Sequence, residues 1–192
     1  AEINECRDPM PETVIILGRA GSSRMHSSNA AEIRRQRFDR LVAGYHQDMY
    51  RYAAWLSRDP AIAQDVVQEA LLRAWKSLDN LRDDGSAKQW LLTIVRRENA
   101  RFFERKRLET VDIDNLTASQ EALLGVEENT ELDDMRKAIY ELDDDYREPL
   151  VLQVLMGFST REIAEQMGLK QGAVLTRLHR ARARLKDKME QA

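Results

Sequence analysis

The chain has 192 residues and a formal net charge of -3 at pH 7, with 43% hydrophobic and 33% charged residues. This length allows one or two domains, and the composition is typical of a soluble, helix-rich protein rather than of a disordered chain. The 8 glycines and 4 prolines supply too little turn material for an all-β fold. Cys6 is the single cysteine, which excludes an internal disulfide and a zinc cluster and predicts a reducing, cytoplasmic environment.

Residues 1–30 show no helical period and contain Pro9 and Pro11. We expect them to form a disordered or extension tail. The apolar run Val14–Leu17 is too short for a signal core or a membrane span. The stretch GRAGSSR lacks the Gly-Lys-Ser/Thr ending of a phosphate-binding loop, so we expect no nucleotide site there.

Residues 31–107, called module one here, have apolar residues at helical spacing in three segments. A break at Asp59-Pro60 separates the first two, with Asp59 as a candidate cap and Pro60 suited to a first helical turn. The polar turn Asp79–Ser86 separates the second from the third. The predicted helices cover Ile33–Leu56, Ala61–Leu78 and Ala87–Arg107.

The last of these helices ends in the basic segment Arg96–Arg107, whose net charge is +4 from six basic and two acidic residues. Cations stabilise a helix C-terminus without any ligand. The same charge beside Phe102 and Phe103 also suits phosphates and unpaired bases. Both interpretations, a solvated helix end and a nucleic-acid surface, stay open on the residues alone.

Residues 108–134 hold nine acidic residues and neither Lys nor Arg, a net charge of -9. Self-repulsion predicts an extended acidic linker that could reach about 90 Å at about 3.3 Å per residue. The linker accounts for the acidic total of a chain with basic segments on both sides. We expect it to screen those basic surfaces in the free protein.

Residues 135–192, called module two here, are predicted to be helical again. A helix at Met135–Leu142 is followed by one that Asp144 or Asp145 caps and that Gly157 ends.

The stretch GFSTREIAEQMGLKQGAVLTRLHRARARL then predicts two helices around a glycine turn. Ser159 and Glu162 form a capping box, and Gly168 suits the left-handed residue that ends a helix. The next helix begins near Lys170 or Gln171 and carries a net charge of +6. This spacing predicts a DNA-binding helix-turn-helix, with a packed helical hairpin and a solvated basic face as the alternative.

Both modules resemble those of the extracytoplasmic-function (ECF) sigma factors, the small two-domain class of bacterial sigma factors. DVVQEALLRAWKSL followed by WLLTIVRRENARFFERKR is similar to the polymerase-binding and minus-ten segments of that family, and the glycine-turn stretch is similar to its minus-thirty-five helix-turn-helix. The similarity covers about Arg37–Lys188, with the linker similar only in character. It implies an all-α protein of two small helical domains that binds core RNA polymerase and directs promoter-specific transcription initiation without catalysing a reaction.

The resemblance also implies three sets of binding residues. The set on the outer face of the second helix would dock on the β′ clamp helices of the polymerase and consists of Asp65, Gln68, Glu69 and Arg73. The set that meets the opened minus-ten strand consists of Arg96, Arg97, Arg101, Phe103 and Arg105. The set that meets the minus-thirty-five element consists of Arg161, Lys170, Gln171, Leu175, Thr176, His179 and Arg180. Trp75 and Trp90 are expected to have structural roles in the core.

The chain departs from the family pattern at two places. Arg97 stands where the family often has an Asn that holds a flipped base, and Asn99 follows two residues later. In the recognition helix Ala173, Leu175 and Thr176 replace the usual Thr, Lys and Ser. Leu175 can contact a thymine methyl group but cannot hydrogen-bond guanine, so we expect an atypical minus-thirty-five sequence.

The partners implied by the resemblance are core RNA polymerase through its β′ clamp helices and β flap, promoter DNA, and a membrane-anchored anti-sigma factor. We expect no cofactor and no small-molecule substrate, and a cytoplasmic protein that joins the nucleoid when active and the inner membrane when held by the anti-sigma factor. A helix-turn-helix repressor or activator without polymerase contact is the alternative, and module one discriminates between the two. An enzyme is not expected, because His26, His46 and His179 are far apart and no pair has metal-ligand spacing.

Overall fold

The computed structural model describes the backbone of residues 20–109 and 130–191, and the side chains of residues 29–108 and 134–190. Within these ranges the chain forms seven α-helices, two short 3-10 turns and no β-strand, which confirms the all-α prediction. The helices are α1 Ala20–Ser57, α2 Pro60–Ser77, α3 Ala87–Glu109, α4 Thr130–Tyr140, α5 Asp144–Val154, α6 Thr160–Met167 and α7 Gln171–Gln191. Residues 1–19 of the expected tail (1–30) and residues 110–129 of the expected linker (108–134) lie outside the described residues. The other residues of both segments are helical, because α1 begins at Ala20, α3 ends at Glu109 and α4 begins at Thr130. No helix in the described part of the chain has the length and apolar character needed to cross a membrane.

The chain divides into two units, residues 1–37 and residues 38–192. The described part of the first unit is the beginning of α1, where the Gln36 amide donates a hydrogen bond of 2.9 Å to Glu32 one turn earlier. Helical structure thus begins at Ala20, ahead of the boundary at residue 30 that the sequence suggested. No proline lies between Pro11 and Pro60, and the Ala, Arg, Met and Glu residues of this stretch are good helix formers.

In the second unit, the helices of module one begin and end close to the predicted positions. The Asp59 carboxylate accepts hydrogen bonds from the backbone N–H groups of Ala61 (2.8 Å) and Ile62 (3.2 Å), and Pro60 occupies the first turn of α2. Trp75 and Trp90 are half-buried against a small apolar cluster, which agrees with the structural role predicted for both. That cluster consists of Leu41, Leu78, Leu81 and Ala87.

Module two contains the predicted helix-turn-helix. Ser159 and Glu162 form the complete capping box at the start of α6, and Gly168 ends α6 with a φ of 66°. Leu169 then packs against the core, and α7 begins at Gln171. These local features were all predictable because each depends on residues within one helical turn of each other.

The start of α5 differs from the prediction. The N-cap position belongs to Asp143, whose side chain makes no capping hydrogen bond, and Asp144 and Asp145 lie in the first helical turn. Acidic side chains are favourable both at a cap and in the first turn, because both positions meet the positive end of the helix dipole. Three consecutive aspartates therefore do not determine which of them is the cap.

The two modules share one hydrophobic core. Buried residues of α1 and α3, such as Met49 and Leu91, belong to the same cluster as Leu152, Ile163 and Leu178 of module two. The rings of Trp55 and Tyr140 stack across this contact with centroids 4.1 Å apart. The connected modules that the sequence predicted are thus folded onto each other between residues 38 and 192.

Candidate polymerase and nucleic-acid interface

The predicted polymerase-binding residues lie on the exposed side of α2. Asp65, Gln68 and Glu69 line a groove of about 540 Å³ between α2 and α3. Leu72, an apolar side chain that is 55% exposed, lies in the same groove, and Arg105 and Lys106 of α3 form its basic side. The groove therefore offers an apolar centre between acidic and basic rims. Arg73, the fourth predicted residue, is also exposed but is engaged by Glu98.

Glu98 is a buried carboxylate that the sequence analysis did not single out. It is 3% exposed, forms an ion pair with Arg73 Nε at 3.2 Å and accepts a hydrogen bond from Arg101 Nη1 at 2.5 Å. It thereby ties an arginine of the polymerase-binding set to one of the minus-ten set. The sequence feature that could have pointed to Glu98 is its position as an acidic residue inside a segment of net charge +4, three residues before Arg101.

The five predicted minus-ten residues do not form one surface. Arg97, Arg101 and Arg105 are exposed at a spacing of four residues, and we call them the exposed stripe of α3. Phe103 is half-buried, packs against the core and meets Phe102 edge to face at 5.6 Å, so its ring is only partly available to a base. Arg96 lies on another side of the helix, where module two covers it.

Arg96 is bound by a carboxylate of α5. Its Nε donates to Glu148 Oε1 at 2.6 Å and its Nη2 to Glu148 Oε2 at 3.4 Å, and the Tyr52 hydroxyl donates to the same Oε1 at 2.7 Å. Burial and the neighbouring Glu148 charge raise the pKa of Tyr52 well above its ordinary value, so the phenol stays a neutral donor. Burial alone would lower the pKa of Arg96, but the hydrogen bond and charge of Glu148 raise it. Arg96 is therefore a fixed cation with a fixed counter-charge.

Two further contacts with module two lie on the same side of α3 as Arg96. The Thr93 hydroxyl lies 2.6 Å from Gln166 Oε1, and the Gln89 amide donates to Glu165 Oε2 at 3.3 Å. Sequence reasoning missed these contacts, because each joins residues more than seventy positions apart. No local spacing pattern carries that information.

The predicted minus-thirty-five residues share the exposed face of α6 and α7. Leu175 of α7 is 53% exposed. Lys170 is exposed just before the start of α7, and His179 and Arg180 are exposed further along it. Some members have partners inside the motif: Arg161 pairs with Glu165 at 3.1 Å, the Gln171 amide donates to Thr160 at 2.9 Å, and Thr176 Oγ1 lies 3.0 Å from the Gly172 carbonyl. The structure brings all seven together on one motif.

Three other cations of α7 have acidic partners just before or at the start of α5. We call Glu141, Asp143, Asp144 and Asp145 the acidic turn. Arg177 pairs with Asp145 at 3.1 Å, Arg184 pairs with Asp143 at 2.5 Å, and Lys188 pairs with Glu141. Arg184 also lies 4.3 Å from the centre of the Tyr146 ring. By contrast, Lys170 and Arg180 make no ion pair with the side chains that the structure describes.

The chemistry of these surfaces is that of macromolecular binding. In the described residues no group of three or more His, Cys, Asp or Glu side chains could hold a metal ion. His46 of α1 and His179 of α7 are both exposed. What the surfaces offer is hydrogen-bond donors, cations and an apolar groove with charged rims.

Comparison with known proteins assigns both modules. The family model for Sigma-70 region 2 matches residues 41–109, and that for Sigma-70, region 4 matches residues 132–185. The ECF RNA polymerase sigma factor EcfG of Rhodopseudomonas palustris is 33% identical over 70% of this chain and 75% of its own length. The ECF RNA polymerase sigma factor SigL of Mycobacterium tuberculosis is 34% identical over 69% of this chain and 77% of its own length.

A solved structure shows the same fold. The sigma factor RpoE of Bartonella quintana, in complex with the anti-sigma factor NepR, aligns with a TM-score of 0.67 and 28% identity over 81% of this chain and 98% of that chain. The family that the sequence motifs suggested is thus confirmed by both modules and by the fold. The chain belongs to the ECF sigma factors and is an alternative sigma factor of RNA polymerase.

Proposed function

We propose that this sigma factor uses three separate surfaces in initiation. The α2 face and its groove bind core polymerase, the exposed stripe of α3 contacts the opened minus-ten strand, and α7 reads the minus-thirty-five element. The observation that carries the proposal is the sorting of cations on α7: those facing the acidic turn are paired, whereas Lys170 and Arg180 are exposed and unpaired among the described residues. Unpaired cations beside a helix-turn-helix are available to phosphates and base edges.

The polymerase contact is supported by the shape and chemistry of the groove. Leu72 supplies an exposed apolar centre, and the charges of Glu69 and Arg105 on opposite sides can select the orientation of a partner helix. We assign this groove to the β′ clamp helices, and we assign a second contact of module two to the β flap.

The minus-ten contact is supported by the spacing of the exposed stripe. Arg97, Arg101 and Arg105 rise about 6 Å per step along α3, a distance of the order of two nucleotides in a strand. Three guanidinium groups at such a spacing suit several phosphates along a strand better than they suit a single ligand.

The minus-thirty-five contact is supported by the start of α7. Lys170 stands next to the N-terminus of this helix, where a cation opposes the helix dipole. A phosphate or base edge in front of it removes that conflict. Leu175 is exposed in the second turn of α7 and suits a thymine methyl group.

The polymerase assignment is tested with the full-length double variant Gln68→Ala, Glu69→Arg. We expect it to compete poorly for core polymerase, because a docking face tolerates a charge reversal badly, and to keep its minus-thirty-five DNA affinity. Glu104→Arg is the matched control, since Glu104 is an exposed carboxylate of the same module outside the groove. If the double variant binds core as well as the wild type, the groove is not the docking site.

The alternative is a helix-turn-helix repressor or activator that never contacts polymerase. The match of residues 41–109 to Sigma-70 region 2 speaks against it, because such a regulator has no need of that module. A pull-down of the wild-type chain with core polymerase discriminates directly: a regulator stays unbound, and a sigma factor is retained.

We also propose that an anti-sigma factor controls this protein and that this partner is anchored in the membrane. The support is the likeness to a sigma factor solved in complex with the anti-sigma factor NepR. The proposal predicts that a co-expressed cognate inhibitor prevents core binding, and that detergent is needed to extract the complex if the inhibitor is anchored.

A further inference from the structure

One side of α3 consists of hydrogen-bond donors. Gln89, Thr93 and Arg96 are spaced by four and three residues, which places them on one helical face, and we call them the donor stripe. Each meets an oxygen acceptor of module two. The acceptors are Glu165 at 3.3 Å, Gln166 at 2.6 Å and Glu148 at 2.6 Å.

The centre of this contact is buried on the side of Tyr52 and Glu148, whereas the Arg96 side chain is 38% exposed. Tyr52 is fully buried, and the Glu148 side chain is 12% exposed. Arg58 adds a hydrogen bond of 3.4 Å to the Leu142 carbonyl and an ion pair of 3.2 Å with Asp144. Module two is therefore held against module one by specific polar contacts in addition to the shared core.

The donor stripe adjoins the exposed stripe. Arg96 and Arg97 are consecutive residues and point about 100° apart around the helix axis. With module two removed, the two stripes would form one broad surface of amide, hydroxyl and guanidinium groups. In the structure, carboxylate and amide oxygens of module two contact the donor stripe. Phosphate and base oxygens of DNA are acceptors of the same kind.

We propose that module two and single-stranded promoter DNA compete for the donor stripe, so that the closed arrangement is an autoinhibited state in which Glu148 occupies the place of a DNA phosphate. The inference rests on the proposed function of α3 and extends it. Gln89 and Thr93 become DNA-facing residues, and Glu148 becomes the residue that holds the closed state. Arg96 keeps a counter-charge in both states, so the exchange does not leave this half-buried cation unpaired.

The test measures binding of the free, full-length protein to a short fluorescent single-stranded oligonucleotide. Glu148→Gln keeps the side-chain shape and an acceptor for Tyr52 but removes the charge that holds Arg96. We expect its affinity for the oligonucleotide to rise about threefold or more, because apparent affinity scales with the fraction of open molecules. Arg96→Gln loses both the closing contact and the DNA contact, so its affinity should not rise.

Glu141→Gln is the control for the general effect of one lost negative charge. It removes an exposed carboxylate of module two that pairs with Lys188. The proposal requires a larger gain from Glu148→Gln than from Glu141→Gln. Equal gains would attribute the effect to overall charge and overturn the proposal.

A permanent structural contact makes the opposite prediction. In that case Glu148→Gln leaves oligonucleotide affinity unchanged or lowers it. Should Glu148→Gln fail to fold, as judged by its thermal transition, Tyr52→Phe removes only one hydrogen bond to the same carboxylate and should raise affinity in the same direction. The assay contains no polymerase, so a failure of core binding would refute the proposed function without affecting this result.

Discussion

Arg180 and Arg184 are one helical turn apart on α7 and have different surroundings. Arg184 pairs with Asp143 and lies over Tyr146, whereas Arg180 is exposed and makes no ion pair with the described side chains. Their formal charges are the same, so net charge does not distinguish the roles of the two residues. Their different surroundings support the proposal that Arg184 contributes to stability and Arg180 to DNA binding.

Arg180→Ala should therefore weaken binding of the holoenzyme to a minus-thirty-five element by about 1–3 kcal/mol, the range of a lost base or phosphate contact. Thr176→Ala should fall at the low end of this range, because its hydroxyl already lies 3.0 Å from the Gly172 carbonyl. Gel-shift titration measures both. Arg184→Ala is the control, and it should lower the thermal midpoint while promoter affinity stays at the wild-type value. A loss of promoter affinity in Arg184→Ala equal to that in Arg180→Ala would refute this division of roles.

The capping box at Glu162 gives a prediction for pH. Hydrogen bonds from the Ser159 side chain and backbone N–H lower the pKa of Glu162 below its ordinary 4.5. A depressed pKa in the folded state means that the carboxylate stabilises the fold above the ordinary value, and that this contribution is lost as pH falls through the folded-state pKa.

Glu162→Gln should accordingly be less stable than the wild type near neutral pH, and the difference should shrink below about pH 4.5. Thermal midpoints of the two proteins across this range measure it, and contributions from other carboxylates cancel in the difference. A difference that stays constant with pH would mean that the amide replaces the carboxylate fully.

At the scale of elements, the helices of the helix-turn-helix could be placed from sequence because their boundaries are encoded locally. Ser159, Glu162 and Gly168 lie within one short helix, and each has a backbone requirement that few residues meet. The pairing of Glu148 with Arg96 joins residues 52 positions apart, and an exposed acidic residue would look the same in the sequence. Sequence periodicity predicts which face of α3 is apolar, but it cannot say which of the polar faces meets module two.

The buried Glu98 joins two elements and gives a prediction for both. Removing it in Glu98→Ala leaves Arg73 and Arg101 without their shared acceptor, and both are about half exposed, so water replaces part of the lost interaction. We expect a loss of about 1–3 kcal/mol in the free energy of unfolding, measured by denaturant titration. Glu104→Ala, at an exposed position on the same helix, should change it by less than about 0.5 kcal/mol. Equal effects of the two substitutions would show that the contact between Glu98 and the arginines contributes nothing to stability.

For the whole molecule, the sequence places nine acidic residues and no basic residue in the linker, and the structure adds a second acidic element. The acidic turn already neutralises Arg177, Arg184 and Lys188, and Glu148 neutralises Arg96. Screening of basic surfaces in the free protein therefore does not depend on the linker alone. The two acidic segments can be separated by experiment because they do not overlap in sequence.

Two neutralised variants separate these contributions in an assay of binding to non-specific double-stranded DNA. One replaces Glu141, Asp143 and Asp145 by Gln, Asn and Asn, and the other replaces the nine acidic residues of 108–134 in the same way. Both should bind more tightly than the wild type at low salt, and the gain should fade as the Debye length falls to about 8 Å near physiological ionic strength. If the linker variant alone gains affinity, the ion pairs of the acidic turn serve stability. If the turn variant alone gains, the linker is a tether whose acidity serves solubility, and a gain that persists at high salt would refute an electrostatic origin for either.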